Sequence, residues 1–160
     1  MPTDLSGFLD GVDRAIYIVT TAVDEERSGC LVGFVTQVSI DPPRLLVCLS
    51  VANHTYVVAQ HASVLVVHLL GRDQGELAAL FGSTTGDEID KFQRCGWQRG
   101  PAGVPVLEGV PGWMVGSIVQ RIPFGDHVGF ILEPLEAHRH DTGVVLTFEQ
   151  VKDLHPGHPA

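Results

Sequence analysis

Seven short apolar runs rich in β-branched residues recur along this chain, and Gly, Pro, Asn or Asp stands at their borders. They are "AIYIVTTAV" (15–23), "CLVGFVTQVS" (30–39), "RLLVCLSV" (44–51), "SVLVVHLL" (63–70), "GWMVGSIVQRI" (112–122), "HVGFILEPLEAH" (127–138) and "GVVLTF" (143–148). Such runs suit strands on a pleated, half-buried surface. Only three stretches read as helix. "NHTYVVAQHA" opens on Asn53 as an N-cap, and "DQGELAALFG" offers Asp73 with Glu76 three residues on, as in a capping box. "DEIDKFQRCG" has an acidic first turn and Gly96 as a stop. Strands and helices do not alternate, so a doubly wound sheet is disfavoured. The expectation is one domain over residues 1–160: mainly β, an antiparallel barrel with a few short helices. The 18 glycines and 10 prolines fit many turns, and residues 96–112 read as a long loop.

Charge narrows the partners. Ten Lys and Arg face nineteen Asp and Glu, a net charge of −9 with no basic stripe, which argues against nucleic acid and anionic membranes. A phosphate-bearing ligand would therefore be held by backbone N–H groups and hydroxyls more than by cations. Three cysteines without a CxxC read as reduced, intracellular thiols. The N-terminal stretch lacks the basic and apolar regions of a secretory signal, and no run approaches the ~18 apolar residues of a membrane span. A soluble, cytoplasmic protein is expected.

Three stretches carry candidate chemistry. In "GFVTQVSIDPP", period-2 geometry sets Gly33, Val35, Gln37 and Ser39 on one face and Phe34, Thr36 and Val38 on the other. Pro42 and Pro43 then end the pairing. A bent barrel strand and a ligand-binding wall explain this equally well. In "CLSVANHTYVVAQ", Ser50 closes a strand and Asn53 opens a helix, whose free N–H groups make an anion site that Ser50, Asn53, His54 and Thr55 could complete. Ordinary capping accounts for Asn53 alone. In "FGDHVGFI", Asp126 could orient the ring of His127 for binding or proton relay, and a plain turn is the competing reading. His138, His140, His155 and His158 lack ligand-spaced partners, so no metal is expected. No GxGxxG after a strand, P-loop or GxSxG is present.

The order "AIYIVTT", "SGCLVGFVTQVSIDPPRLLVCLS", "NHTYVVA", "VLVVHLL", "LAALFG", "DKF" and "GDHVGFI" resembles the flavin reductase-like family, over roughly residues 15–135. The resemblance implies a homodimeric Greek-key split β-barrel that binds FMN, with FAD as the alternative. It also implies hydride transfer from NADH or NADPH, with the reduced flavin passed in many relatives to a partner monooxygenase. Carried over by position, Val32, Gly33, Phe34, Val35, Thr36, Gln37, Val38 and Ser39 would line the ring and ribityl chain. Ser50, Asn53, His54 and Thr55 would hold the phosphate. Gly125, Asp126 and His127 would lie by the nicotinamide, with His127 as the positioning and catalytic candidate. "DKF" (Asp90, Lys91, Phe92) matches the family without an assigned role.

The chain also departs from the pattern. Relatives commonly carry Thr and then Asn or Ser where Leu31, Gly33 and Phe34 stand here, which leaves the flavin's pyrimidine edge to backbone donors. That departure motivates a rival, a protein of the same fold holding flavin or deazaflavin tightly without free-flavin reductase activity. A barrel that binds no flavin is a further alternative.

Overall fold

Six of the seven apolar runs form strands in the computed structural model, which describes residues 3–83 and 90–154. The strands are β1 (Tyr17–Val23), β2 (Glu26–Val32), β3 (Val35–Ser39), β4 (Arg44–Ser50), β5 (Val64–Leu69), β6 (Trp97–Arg99), β7 (Pro105–Leu107), β8 (Gly112–Pro123) and β9 (His127–Arg139). Among the described residues four short helices accompany them: α1 (Ser6–Leu9), α2 (His54–Ala59), α3 (Gly75–Ser83) and α4 (Phe148–Val151). Seven strands make one antiparallel sheet in the order β2-β1-β5-β8-β9-β4-β3, and β6 and β7 pair only with each other. The protein is thus mainly β, with a large antiparallel sheet and few short helices, as the sequence leads one to expect.

The sheet is rolled. Val32 of β2 and Val47 of β4 lie five places apart in the strand order, yet both enter one core with Val19, Leu65, Phe130 and Leu132. A flat sheet cannot bring those side chains together. The two outermost strands, β2 and β3, are consecutive in the chain, and only Gly33 and Phe34 separate them. A second core lies outside the roll, where Ala78 and Phe81 of α3 meet Ile18, Leu70, Phe92 and Leu146. Gly29 permits that approach, because a Cβ there would stand 2.7 Å from the Phe81 ring. Burial of such side chains stabilises by roughly 1.5–3 kcal/mol each.

Five expectations are corrected. The 30–39 run is not one strand: pairing with β1 ends at Val32, and pairing with β4 begins at Val35. "GVVLTF" makes only the isolated bridges Ala15–Thr147 and Gly71–Val145. Its backbone serves two partners, since Leu146 N–H donates to Leu70 O (2.8 Å) and Leu146 O accepts from Ile16 N–H (3.1 Å). The Asp73–Glu76 capping box does not form, because α3 begins at Gly75 and Gln74 Oε1 instead accepts from Gly71 N–H at 2.8 Å. The 96–112 loop holds the β6–β7 hairpin. Of "DEIDKFQRCG", Asp87–Ile89 lie outside the described residues, and Lys91–Gln93 form a single 3-10 turn capped by Asp90. His155 and His158 also lie outside them.

His68 ties the hairpin to the sheet. Its ring is fully buried, with Nδ1 2.9 Å from Ile18 O, and Nε2 accepts from Leu107 N–H at 3.0 Å. Because Leu107 N is a donor, Nε2 must be the acceptor, and the proton sits on Nδ1. Burial lowers the pKa from 6.5 to about 4, against a smaller opposing contribution from the Ile18 bond. The unfolded chain therefore takes up a proton that the folded one refuses. This stability contribution is fully present above pH 6.5 and is lost as pH falls toward 4. We expect denaturant unfolding to show a loss of about 2 kcal/mol between pH 7 and 5 from this residue, and that loss to disappear in His68→Asn.

Candidate functional site

The site is built where β4 ends and β9 begins. Ser50 pairs with His127 across those strands, and Val51 N–H donates to Asp126 O at 2.9 Å. Asn53 N–H donates back to Ser50 O at 3.0 Å, and Asn53 Oδ1 caps α2 by accepting from Thr55 N–H at 2.9 Å. The cap uses the oxygen of the amide, so the NH2 group has no partner among the described residues. Ser50 Oγ accepts from Ala52 N–H at 3.3 Å and keeps its own proton to donate. The tight β4–α2 turn thus presents one amide and one hydroxyl donor together, beside the start of a short helix.

The seam between the sheet's edges reaches the same corner. Phe34 O accepts from Cys48 N–H at 2.9 Å, which seats Gly33 and Phe34 beside β4. The Phe34 ring is 50% exposed, and its centre lies 5.0 Å from that of His127. His127 Nδ1 is 2.8 Å from Asp126 Oδ1. A carboxylate there favours the proton on Nδ1 and leaves Nε2 to meet a ligand. Half-exposed aromatic surface, an oriented imidazole and two uncommitted donors therefore converge. Such a corner can stack a flat ring and hold an anion nearby, without any nucleophile.

Several sequence-assigned residues stand elsewhere. Val32 is 5% exposed and points into the inner core, so it does not line the corner. Val35 packs against that same core. Thr36, Gln37 and Val38 lie on the exposed edge strand β3, where Gln37 Nε2 donates to Ser39 O at 3.1 Å. Gly125 precedes the Asp126–His127 pair, and a Cβ there would meet nothing within 4 Å. Thr55 is corrected outright: it is fully buried, and its hydroxyl lies 2.8 Å from Ser28 Oγ. His54 does not join the corner with its ring, since Nε2 is 3.1 Å from Glu26 Oε1. There it helps line a separate cavity of about 260 Å³ with Ser28, Arg27, Asp90 and Lys91.

That cavity wall explains "DKF". Asp90 caps the 3-10 turn and lies 3.9 Å from Arg27, while Phe92 packs edge-on to Phe81. Lys91 is 6% exposed, and Nζ donates to Gly29 O (3.1 Å) and Phe81 O (3.2 Å). Burial lowers its pKa, and the same burial pushes the Cys30 thiol up to about 11, which makes that cysteine inert. Spacing alone could not reveal this, because Gly29 lies 62 residues from Lys91 in the chain. Among the described residues no group of three His, Cys, Asp or Glu could hold a metal ion. No helix among them is long and apolar enough to cross a membrane.

The flavin reductase like domain profile matches residues 9–154. The chain is 31% identical over 126 residues to the 4-hydroxyphenylacetate 3-monooxygenase reductase component of Klebsiella oxytoca, covering 74% of this chain and 71% of that one. It is 34% identical over 128 residues to FMN reductase (NADH) RutF of Klebsiella pneumoniae, covering 78% and 77%. The crystal structure of an FMN-binding protein from Thermus thermophilus superposes with a TM-score of 0.80 at 25% identity, over 89% of this chain and 79% of that one.

The position of Thr55 generates a test. Thr55→Val leaves the Ser28 hydroxyl buried and unpaired, so stability should drop by about 1–2 kcal/mol in denaturant unfolding. The Asn53 amide should keep its ligand affinity, as an isothermal titration of the variant would read.

Proposed function

This chain belongs to the flavin reductase-like domain family, and we propose that it is an NADH-dependent FMN reductase that supplies reduced flavin to a monooxygenase. The observation that carries this reading is the corner where Phe34 and His127 stand 5.0 Å apart beside the uncommitted donors of Ser50 and Asn53. The donor set fits FMN: Asn53 and Ser50 offer two neutral donors for a phosphate, as a chain of net charge −9 requires. The half-exposed Phe34 ring offers an apolar face for the isoalloxazine. When bound, FMN supplies the two-electron acceptor for the hydride that the nicotinamide carries. Asp126 fixes the tautomer of His127, and His127 orients the pyridine nucleotide through Nε2.

The names of two relatives support FMN, NADH and a monooxygenase partner. FAD and NADPH are the less supported choices. Family membership and the rolled sheet with its β2–β3 seam support a split β-barrel of one domain. A homodimer is part of the same reading: Phe34, Val38, Ile40 and Phe124 are 48–84% exposed large apolar groups around the β3 edge, a face that a second copy would cover. A cytoplasmic location completes it.

Purified protein with FMN and NADH should oxidise NADH well above the rate of free flavin, and sedimentation should give a dimer. No rate above free flavin would end this reading. A dialysis-resistant yellow preparation without turnover would instead favour tightly held FMN, a reading that the half-exposed Phe34 ring supports. Asn53→Asp keeps the α2 cap but turns the donor into a carboxylate. It should weaken FMN at least tenfold, about 1.4 kcal/mol, and leave riboflavin nearly unchanged. His127→Ala should raise KM for NADH severalfold at constant FMN affinity, and equal loss of both ligands would make His127 structural.

A further inference from the structure

The Arg14 guanidinium makes no ion pair within 4 Å among the described residues, although its charge is felt by the neighbouring Asp13 carboxylate. Its guanidinium carbon lies 4.1 Å from the centre of the Phe148 ring and 5.3 Å from that of Phe34. Its Nε–H is shut off from solvent and has no acceptor, and none of its other guanidinium N–H groups finds one among the described residues. A buried donor of this kind is rare and calls for an explanation. Two aromatic faces account for the charge in part; they leave the buried Nε–H without an acceptor.

The placement of the head group is specific. A Cβ at Gly33 would stand 2.9 Å from Arg14 Nε and 3.3 Å from Nη2. The guanidinium therefore fills the space where a side chain at position 33 would be. That position lies in the seam between the sheet edges, next to Phe34 and through it to His127. The backbone holds Arg14 there. Its carbonyl accepts from Phe148 N–H at 2.8 Å, its N–H donates to Asp13 Oδ1 at 2.9 Å, and the same carboxylate oxygen accepts from Glu149 N–H at 3.1 Å. The segment before β1 and the turn into α4 thus deliver a cation to a strand that carries no polar side chain of its own at Leu31 or Gly33.

We propose that Arg14 is a positioning residue for the cofactor, replacing from outside the strand the polar groups absent at Leu31 and Gly33, and that it faces the electron-rich pyrimidine edge of the flavin. The proposal rests on the FMN reading of the preceding section. Reduction adds negative charge to that edge, so a fixed guanidinium favours the reduced cofactor over the oxidised one, one of the levers a protein has on flavin electronics. The phosphate is the less suitable target, because Ser50 and Asn53 already provide donors for it.

The test is the potential of the bound flavin. Arg14→Met keeps an apolar stem over Phe148 and removes the charge. It should bind oxidised FMN within about threefold of wild type and reduced FMN about tenfold more weakly, a midpoint lowered by about 30 mV for the two-electron couple. Riboflavin should show the same ratio, and Arg14→Lys should recover most of the shift. Thermal melting of the variants checks their folding; if Arg14→Met is unfolded, Arg14→Gln with the same expected shift takes its place. An unchanged potential overturns the role of Arg14 and leaves the FMN reading standing. A loss confined to FMN, with riboflavin unaffected, overturns it in favour of a phosphate contact. Failure of the wild-type protein to bind any flavin overturns the FMN reading and this inference with it.

Discussion

One constraint organises the molecule. The chain must roll an antiparallel sheet around a single apolar interior, yet the strands at its two borders are joined by only two residues. Gly33 and Phe34 cannot both extend β2 and start β3 in register, so ladder pairing lapses there. The lapse leaves an aromatic ring half exposed and a glycine with a bare flank. All the other features of the corner gather on this seam: the β4–α2 turn, the head of β9, and the guanidinium of Arg14.

The few cations are used in an unusual way for so acidic a chain. Lys91 donates to the carbonyl of Phe81 near the end of α3, and Arg121 Nη2 donates to those of Ala59 (3.0 Å) and Ala62 (2.7 Å) at and after the end of α2. Both donate to carbonyls at or just beyond a helix C-terminus, where partial negative charge gathers. Other cations pair with carboxylates, Arg44 with Glu133 at 3.1 Å and Lys152 with Glu149 at 2.9 Å, so the phosphate chemistry falls to amides and hydroxyls.

Strand identity was legible because β-branched runs bounded by Gly and Pro have few other ways to fold. The Asn53 cap and the Asp126–His127 pair were legible for the same reason, as both depend on neighbours within two residues. What escaped depends on direction and on distant partners. Thr55 looks like a phosphate donor in sequence, yet its place two residues after Asn53 turns it inward to Ser28. Val32 and Phe34 are two residues apart and would share a face in a regular strand, but the seam between them breaks the alternation. "GVVLTF" has strand composition and fails as a strand because its backbone bonds go to two separate segments. Arg14 gave no signal at all, since it matters through Gly33 and Phe148, residues far apart in the chain.

Among the described residues the β6–β7 hairpin pairs only with itself, and side chains and apolar packing fasten it to the main sheet. The Thr20 hydroxyl donates to Pro105 O, His68 accepts from Leu107 N–H, and Val104 and Val106 rest on Val64, Val66 and Val115. A region held this way can come away as its own cooperative unit while the main ladder stays intact. Its latch is an imidazole that works only when uncharged. Mild acid would thus act on this flap ahead of the rest of the protein, baring the valines beneath it and giving the molecule a sticky, half-open form before it denatures.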